Sequence, residues 1–220
     1  MIIIYLMIFA IGYWLGVHVP SNVPDFSMVY LYESVLGSSF GRYALLASIF
    51  LLMNKPVHYL NKSAYIFRYP EILSLMKKSI CTSFIHVILI VFTYFGGISL
   101  SVRTLSIKAL IIPVNMVILI MLLCSLLYLC FIFIRNYSII CTVFLLSLGV
   151  IDIASSNIFF IYAMLENYRF ETLCYLPIWS EHYMICWICI LFITVILLIA
   201  TLYFYEKNDK LRGRYHVEEE

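Results

Sequence analysis

Cys81 and His86 are the two residues whose types could make a nucleophile and its base within one short stretch. A thiolate beside an imidazole is the working part of a cysteine nucleophile. On a helix of 3.6 residues per turn, however, five positions turn the two side chains about 140° apart. A single helix therefore cannot bring them together. Cys186 and Cys189 have C-x-x-C spacing, but no second pair completes a zinc ligand set. Along with Cys81, Cys124, Cys130 and Cys141 they fall in or beside apolar runs, where cysteine behaves as a small hydrophobe. Cys174 alone sits in a polar stretch, so the seven cysteines form no disulfide framework and no metal site is expected. The phosphate-binding GxxxxGK[ST], the zinc-binding HExxH and the GxSxG elbow do not occur. This chain has no P-loop with which to hydrolyse ATP, and no cofactor is expected in it.

The other chemically notable residues are charges inside apolar runs. Asp152 interrupts the stretch after Tyr137, and a carboxylate at mid-span costs roughly 2.5–3.5 kcal/mol on insertion scales. At 1.5 Å per residue it lies about 22 Å above the start of its run, while Arg42 lies about 20 Å above Lys55. At similar depth, the two are expected to pair, or to line one polar path with Ser155, Ser156 and Asn157. The alternative is a protonated Asp152 bonded to a neighbouring helix, with Arg42 extended toward the interface.

What must position these residues follows from composition. The 220 residues are 64% hydrophobic and only 12% charged, against roughly a quarter charged in soluble domains. A globule of this size cannot hide that much apolar surface, so lipid is the expected solvent. A net charge of +2 gives no reason to invoke nucleic acid. Runs of ~20 apolar residues mark spans, and the pattern predicts an all-α integral membrane protein of six transmembrane helices. They are expected at 1–17, 35–53, 79–97, 109–134, 137–164 and 183–205, followed by a charged tail at 207–220. The first run lacks a basic leader and a cleavage site, so it is expected to be a retained span rather than a signal peptide. Arg135 and Asn136 are expected to make a tight turn. Basic residues stay in the cytoplasm. With both termini inside, ten of the fourteen lysines and arginines fall on that side, with Arg42, Arg103, Lys108 and Arg169 the exceptions.

The longest polar interval, 54–78, holds Lys55, Lys62, Arg68, Lys77 and Lys78 against one acid, Glu71. Pro70 suits the first position of a helix and Glu71 its first turn. Ile72, Leu73 and Met76 then recur at helical spacing. A short amphipathic helix from Pro70 to Lys78 is expected to lead directly into the third span, either lying in the headgroups or docking on a cytoplasmic partner.

This layout resembles the small type-2 permease subunits of bacterial ABC exporters, in particular those of bacteriocin, lantibiotic and amphipathic-peptide export or immunity systems. The likeness is carried by the segment YIFRYPEILSLMKK, by termini on one side, and by the long interval LENYRFETLCYLPIWSEHY before the last span. The resemblance implies that Arg68, Tyr69, Pro70, Glu71, Lys77 and Lys78 contact an ABC ATPase subunit that binds ATP and Mg. It also implies a second permease subunit, identical or related, a hydrophobic or amphipathic peptide as cargo, and a multi-pass place in the bacterial plasma membrane. Many relatives carry an amphipathic helix before the first span, which this sequence lacks. A membrane-embedded peptide-processing enzyme and a non-transporting immunity or sensor protein share the size and span count. Activity dependent on Cys81 would mark the enzyme, and function indifferent to Arg68 and Glu71 the sensor.

Overall fold

In a computed structural model, residues 2–18, 39–60, 72–102, 111–157 and 183–217 are described. Among them the chain forms six helices and no strand: α1 (Ile2–Val17), α2 (Ser39–Tyr59), α3 (Ile72–Val102), α4 (Ile111–Ile134), α5 (Tyr137–Asn157) and α6 (Tyr183–Val217). In an apolar solvent a helix satisfies its own backbone polar groups, which is why sequences this greasy take that form.

Three of the six, within α3, α4 and α6, are long and apolar enough to cross a membrane unaided. The other three fall short of the expected six full spans. α1 has 16 residues, or about 24 Å against a hydrocarbon core of ~30 Å. Among the residues described with their side chains, α2 contributes the apolar stretch Tyr43–Val57 and α5 the stretch Tyr137–Val150. The expected bounds move as well. α2 starts later than 35 and runs on through Asn54 and Lys55 to Tyr59, because Pro56 in its last turn does not stop it. Of the helix expected at 70–78, residues 72–78 are described, and they lead directly into the third span. From Ile72, α3 continues unbroken for 31 residues, since no glycine or proline interrupts Ile72 to Phe95 and leucine, methionine and lysine all favour helix. α6 continues as helix through the charged segment after Tyr205 to Val217. Residues 158–164 of the expected fifth span lie outside the described residues.

α3 is the hub, packing against α1, α2, α4 and α6. Three rungs fix α1 parallel to it. Tyr5 meets His86, Gly12 lies against Tyr94, and Gly16 against Ile98 and Ser101. The last two contacts are backbone-close. A methyl group on Gly12 would strike the Tyr94 carbonyl, and one on Gly97 the Phe9 carbonyl and the Tyr13 amide nitrogen. Small residues at such crossings are how membrane helices approach without a hydrophobic driving force. α4 runs antiparallel to α3, because Tyr128 near its end reaches Ser79 and Ser83 near the start of α3.

The turn between α4 and α5 takes the two residues expected. Arg135 adopts the left-handed conformation, φ 56°, and its N–H caps the Phe131 carbonyl at 2.9 Å, a single-bond αL helix end. Asn136 then caps α5, its Oδ1 accepting the Ile139 N–H at 3.3 Å. α5 runs antiparallel to α2, the Tyr137 hydroxyl donating to the Phe50 carbonyl at 2.9 Å and Tyr43 lying beside Gly149. α6 lies parallel to α4, with Phe204 against Phe133 and its buried Thr194 and Thr201 on the preceding turns. Direction thus alternates along the chain. One end of the bundle gathers Lys55, Lys77, Lys78, Arg135 and Lys207. The outer faces are apolar, with Ile188 and Phe192 each 65% exposed, as befits a chain dissolved in lipid.

Candidate functional site

Five polar residues lie along the inner side of α3: Ser79, Ser83, His86, Tyr94 and Ser101. The spacing of the first four, by four, three and eight, keeps them on one side of a helix. Ser79, Ser83, His86 and Tyr94 are buried, in a core otherwise dominated by Ile, Leu, Val, Met and Phe. Burying a hydroxyl in such surroundings is costly unless it is hydrogen-bonded, so the partners decide what each residue does.

At the basic end the partners come from three helices. Ser79 Oγ donates to the Pro56 carbonyl at 2.9 Å. That carbonyl is among the last four of α2, which have no partner within their helix. Ser79 Oγ is also 2.9 Å from the Tyr128 hydroxyl, which is 2.6 Å from Ser83 Oγ. Each hydroxyl has one proton, and a carbonyl has none to give. With the Ser79 proton committed to Pro56, Tyr128 must donate to Ser79 and Ser83 to Tyr128. The proton order is therefore fixed: Ser83 to Tyr128 to Ser79 to the Pro56 carbonyl. This one chain ties α2, α3 and α4 together, and such chains polarise and strengthen their members.

Further along α3, the Tyr5 hydroxyl and His86 Nδ1 share a 2.8 Å hydrogen bond, with the rings tilted at 6.4 Å between centroids. This bond joins α1 to α3 and accounts for the imidazole. Cys81 is exposed on another side of α3. The thiol and imidazole are thus kept apart as their spacing requires, and the arrangement holds no nucleophile–base pair at these residues. Tyr94, higher still, has no exposed surface, and its hydroxyl has no hydrogen-bond partner. Ser101 turns back to the Ile98 carbonyl at 2.7 Å.

Among the residues singled out from the sequence, Lys77 and Lys78 are exposed in the first two turns of α3. Arg68, Tyr69, Pro70 and Glu71 lie outside the described residues, as does Cys174. Arg42 belongs to α2, and Asp152, Ser155, Ser156 and Asn157 to α5, with their side chains outside the described set. α2 and α5 are neighbours, with the Tyr43 hydroxyl approaching Gly149. Cys189 is exposed, and no group of three metal-binding side chains occurs among the described residues. The Ser79–Tyr128 chain is not visible in the sequence as a site. Its signal is the recurrence of Ser79, Ser83 and His86 at helical spacing, but Tyr128 and Pro56 are distant in sequence and nothing local marks them. Comparison with protein-family models, with curated proteins and with solved structures gave no match.

Proposed function

We propose that this chain is the permease subunit of an ATP-driven exporter of hydrophobic or amphipathic peptides, of the small six-span type. In this reading all six helices cross the bacterial plasma membrane and both termini are cytoplasmic. α1, shorter than the hydrocarbon, is accommodated by its packing on α3 and by local thinning of the bilayer. ATP and Mg are bound by a separate ABC ATPase subunit, and a second permease, identical or related, completes the path.

The observation that supports this reading best is the continuity of α3. Its first turns carry Lys77 and Lys78 at the end where basic residues gather, and from the next residue on the same helix engages α2 and α4 through Ser79, Ser83 and Tyr128. A push on the interval around Arg68, Tyr69, Pro70 and Glu71 would reach three helices through one rigid lever. Basic residues near spans remain cytoplasmic, where an ATPase would meet them. The apolar interior suits a greasy cargo.

The test is purification of the full chain from its native host under mild detergent, with the co-purifying proteins identified. An ABC ATPase is expected, and its loss is expected on replacing Arg68 and Glu71. A chain that purifies without any ATPase, or Lys77→Cys labelling from the cell exterior by a membrane-impermeant thiol reagent, overturns the proposal.

A further inference from the structure

The neighbours of α3 leave one sector of it open. α1 touches α2, α6 touches α4, and the Pro56–Ser79–Tyr128 chain ties α2 to α4 across α3. Round α3 the order is therefore α1, α2, α4, α6, and α1 and α6 share no packing of that extent. Between them lie Lys77, Cys81, Ile85 and Ile88 of α3, all exposed. Spaced by four, four and three, they form one stripe along the helix. His86 and Gly97, which meet α1, stand about 100–120° round the helix from Ile85. Lys77 to Ile88 covers about 16 Å, against ~15 Å for half of a hydrocarbon core. The stripe is thus a cation followed by one leaflet's depth of apolar surface. Thr82 beside it turns its hydroxyl onto the Lys78 carbonyl at 2.8 Å and adds no open polar group. Among the described side chains the one acid is Glu206 of α6, which has a contact within the protein, as has Lys78. Lys77 is therefore the cation on which the site is built.

We infer that this stripe is the floor of a groove for a phospholipid with an anionic headgroup, its phosphate at Lys77 and an acyl chain along Cys81, Ile85 and Ile88. Basic sites between spans at the cytoplasmic face are where anionic headgroups bind. An ammonium is a point charge with rotatable donors, which suits a phosphodiester oxygen. α1 and α6 stand to either side without meeting and give the chain two walls. Charge selects this occupant over the others. An uncharged apolar solute would leave Lys77 unmatched. A second copy, related by a two-fold axis along the membrane normal, would set Lys77 against its own counterpart, and like charges across an interface are costly. Free phosphate would meet Lys77 but gain nothing from the apolar stretch. Lys77 then belongs to a headgroup rather than to an ATPase, and the groove stands whether or not the export reading does.

The test places the full chain in phosphatidylcholine nanodiscs with a minor share of phosphatidylglycerol bearing a diazirine on its acyl chain, and maps the photocrosslinks by mass spectrometry. The same diazirine on phosphatidylcholine is the neutral control. The outer face of α5 at Val143, Leu146 and Val150, also exposed and rising from the same basic end, is the internal reference. Phosphatidylglycerol is expected to label the stripe from Cys81 to Ile88 about fivefold more than phosphatidylcholine does, the worth of one lysine at the headgroups. On α5 the ratio is expected to stay below about twofold. Lys77→Gln is expected to bring the stripe down to the α5 ratio. Lys77→Arg is expected to restore it, which separates the charge from the fold. Unlabelled phosphatidylglycerol is expected to compete, and inorganic phosphate not to. Equal ratios on the stripe and on α5, a ratio unmoved by Lys77→Gln, or displacement by inorganic phosphate each overturns the inference. So does a stripe that no lipid probe labels while a thiol crosslinker joins two chains through Cys81, since a second copy would then be its cover.

Discussion

Removing one hydroxyl at a time from the Ser83–Tyr128–Ser79–Pro56 chain should give three different costs, and their order follows from the proton order. Hydrogen bonds between membrane helices average ~0.6 kcal/mol. Ser83→Ala removes only the first donor and leaves Tyr128 donating to Ser79, so it should cost about 0.6 kcal/mol. Tyr128→Phe removes both contacts of the phenol while Ser79 still serves Pro56, for about 1.2 kcal/mol on the same scale. Ser79→Ala is the worst. It strands the buried Pro56 carbonyl at the end of α2, and an unsatisfied buried acceptor adds about 1–3 kcal/mol to the lost bonds. Its expected cost is about 2–4 kcal/mol. Reversible unfolding of the purified chain in mixed micelles reads these values. The Ser83→Ala and Tyr128→Phe pair, combined in a double-mutant cycle, should show a coupling of about 0.6 kcal/mol, the one bond they share. Ser83→Ala costing as much as Ser79→Ala, or zero coupling in that cycle, would refute the directed chain.

Gly97→Val should cost about 1–3 kcal/mol in the same assay, because its side chain meets the backbone of α1 at Phe9 and Tyr13. Gly96→Ala, with open space around its Cβ position, should lie within about 0.5 kcal/mol of wild type. At the α4–α5 turn, Arg135→Gly should stabilise by up to about 1 kcal/mol, relieving a left-handed arginine. Asn136→Ala should destabilise by about 0.5–2 kcal/mol through loss of the α5 cap. N-ethylmaleimide followed by mass spectrometry should modify the exposed Cys81 and Cys189 in the folded, detergent-solubilised chain, and the buried Cys124 only after unfolding.

How much of this was legible in the sequence depends on how local the signal is. The six helical segments announce themselves as apolar runs, and Arg135–Asn136 as the polar pair between two of them. The left-handed arginine was not legible, since glycine or asparagine is the residue that usually marks such a helix end. Lys77 and Lys78 stand where the expected amphipathic helix leads into the third span. Two lysines do not interrupt a helix, and long lysine stems reach the interface from within one, so α3 runs through. The angle between Cys81 and His86 was legible from spacing alone, but the partner of His86 was not. Tyr5 is one of 18 tyrosines, and only the parallel packing of α1 on α3 selects it. The same holds for Tyr128. For Arg42 and Asp152 the depth arithmetic is a sequence expectation; the described contacts between α2 and α5 are made by Tyr43 and Tyr137.

The parallel seating of α1 on α3 has a consequence for biogenesis. Two helices of like direction cannot be consecutive in a bundle that alternates, so α1 must wait for a partner that leaves the ribosome some eighty residues later, as Tyr5 and His86 show. At ~5–20 residues per second that interval is on the order of ten seconds, during which the glycine face of α1 is bare to whatever shares the insertion site. A chain truncated before Ile72 would emerge without the helix on which α1 lies parallel.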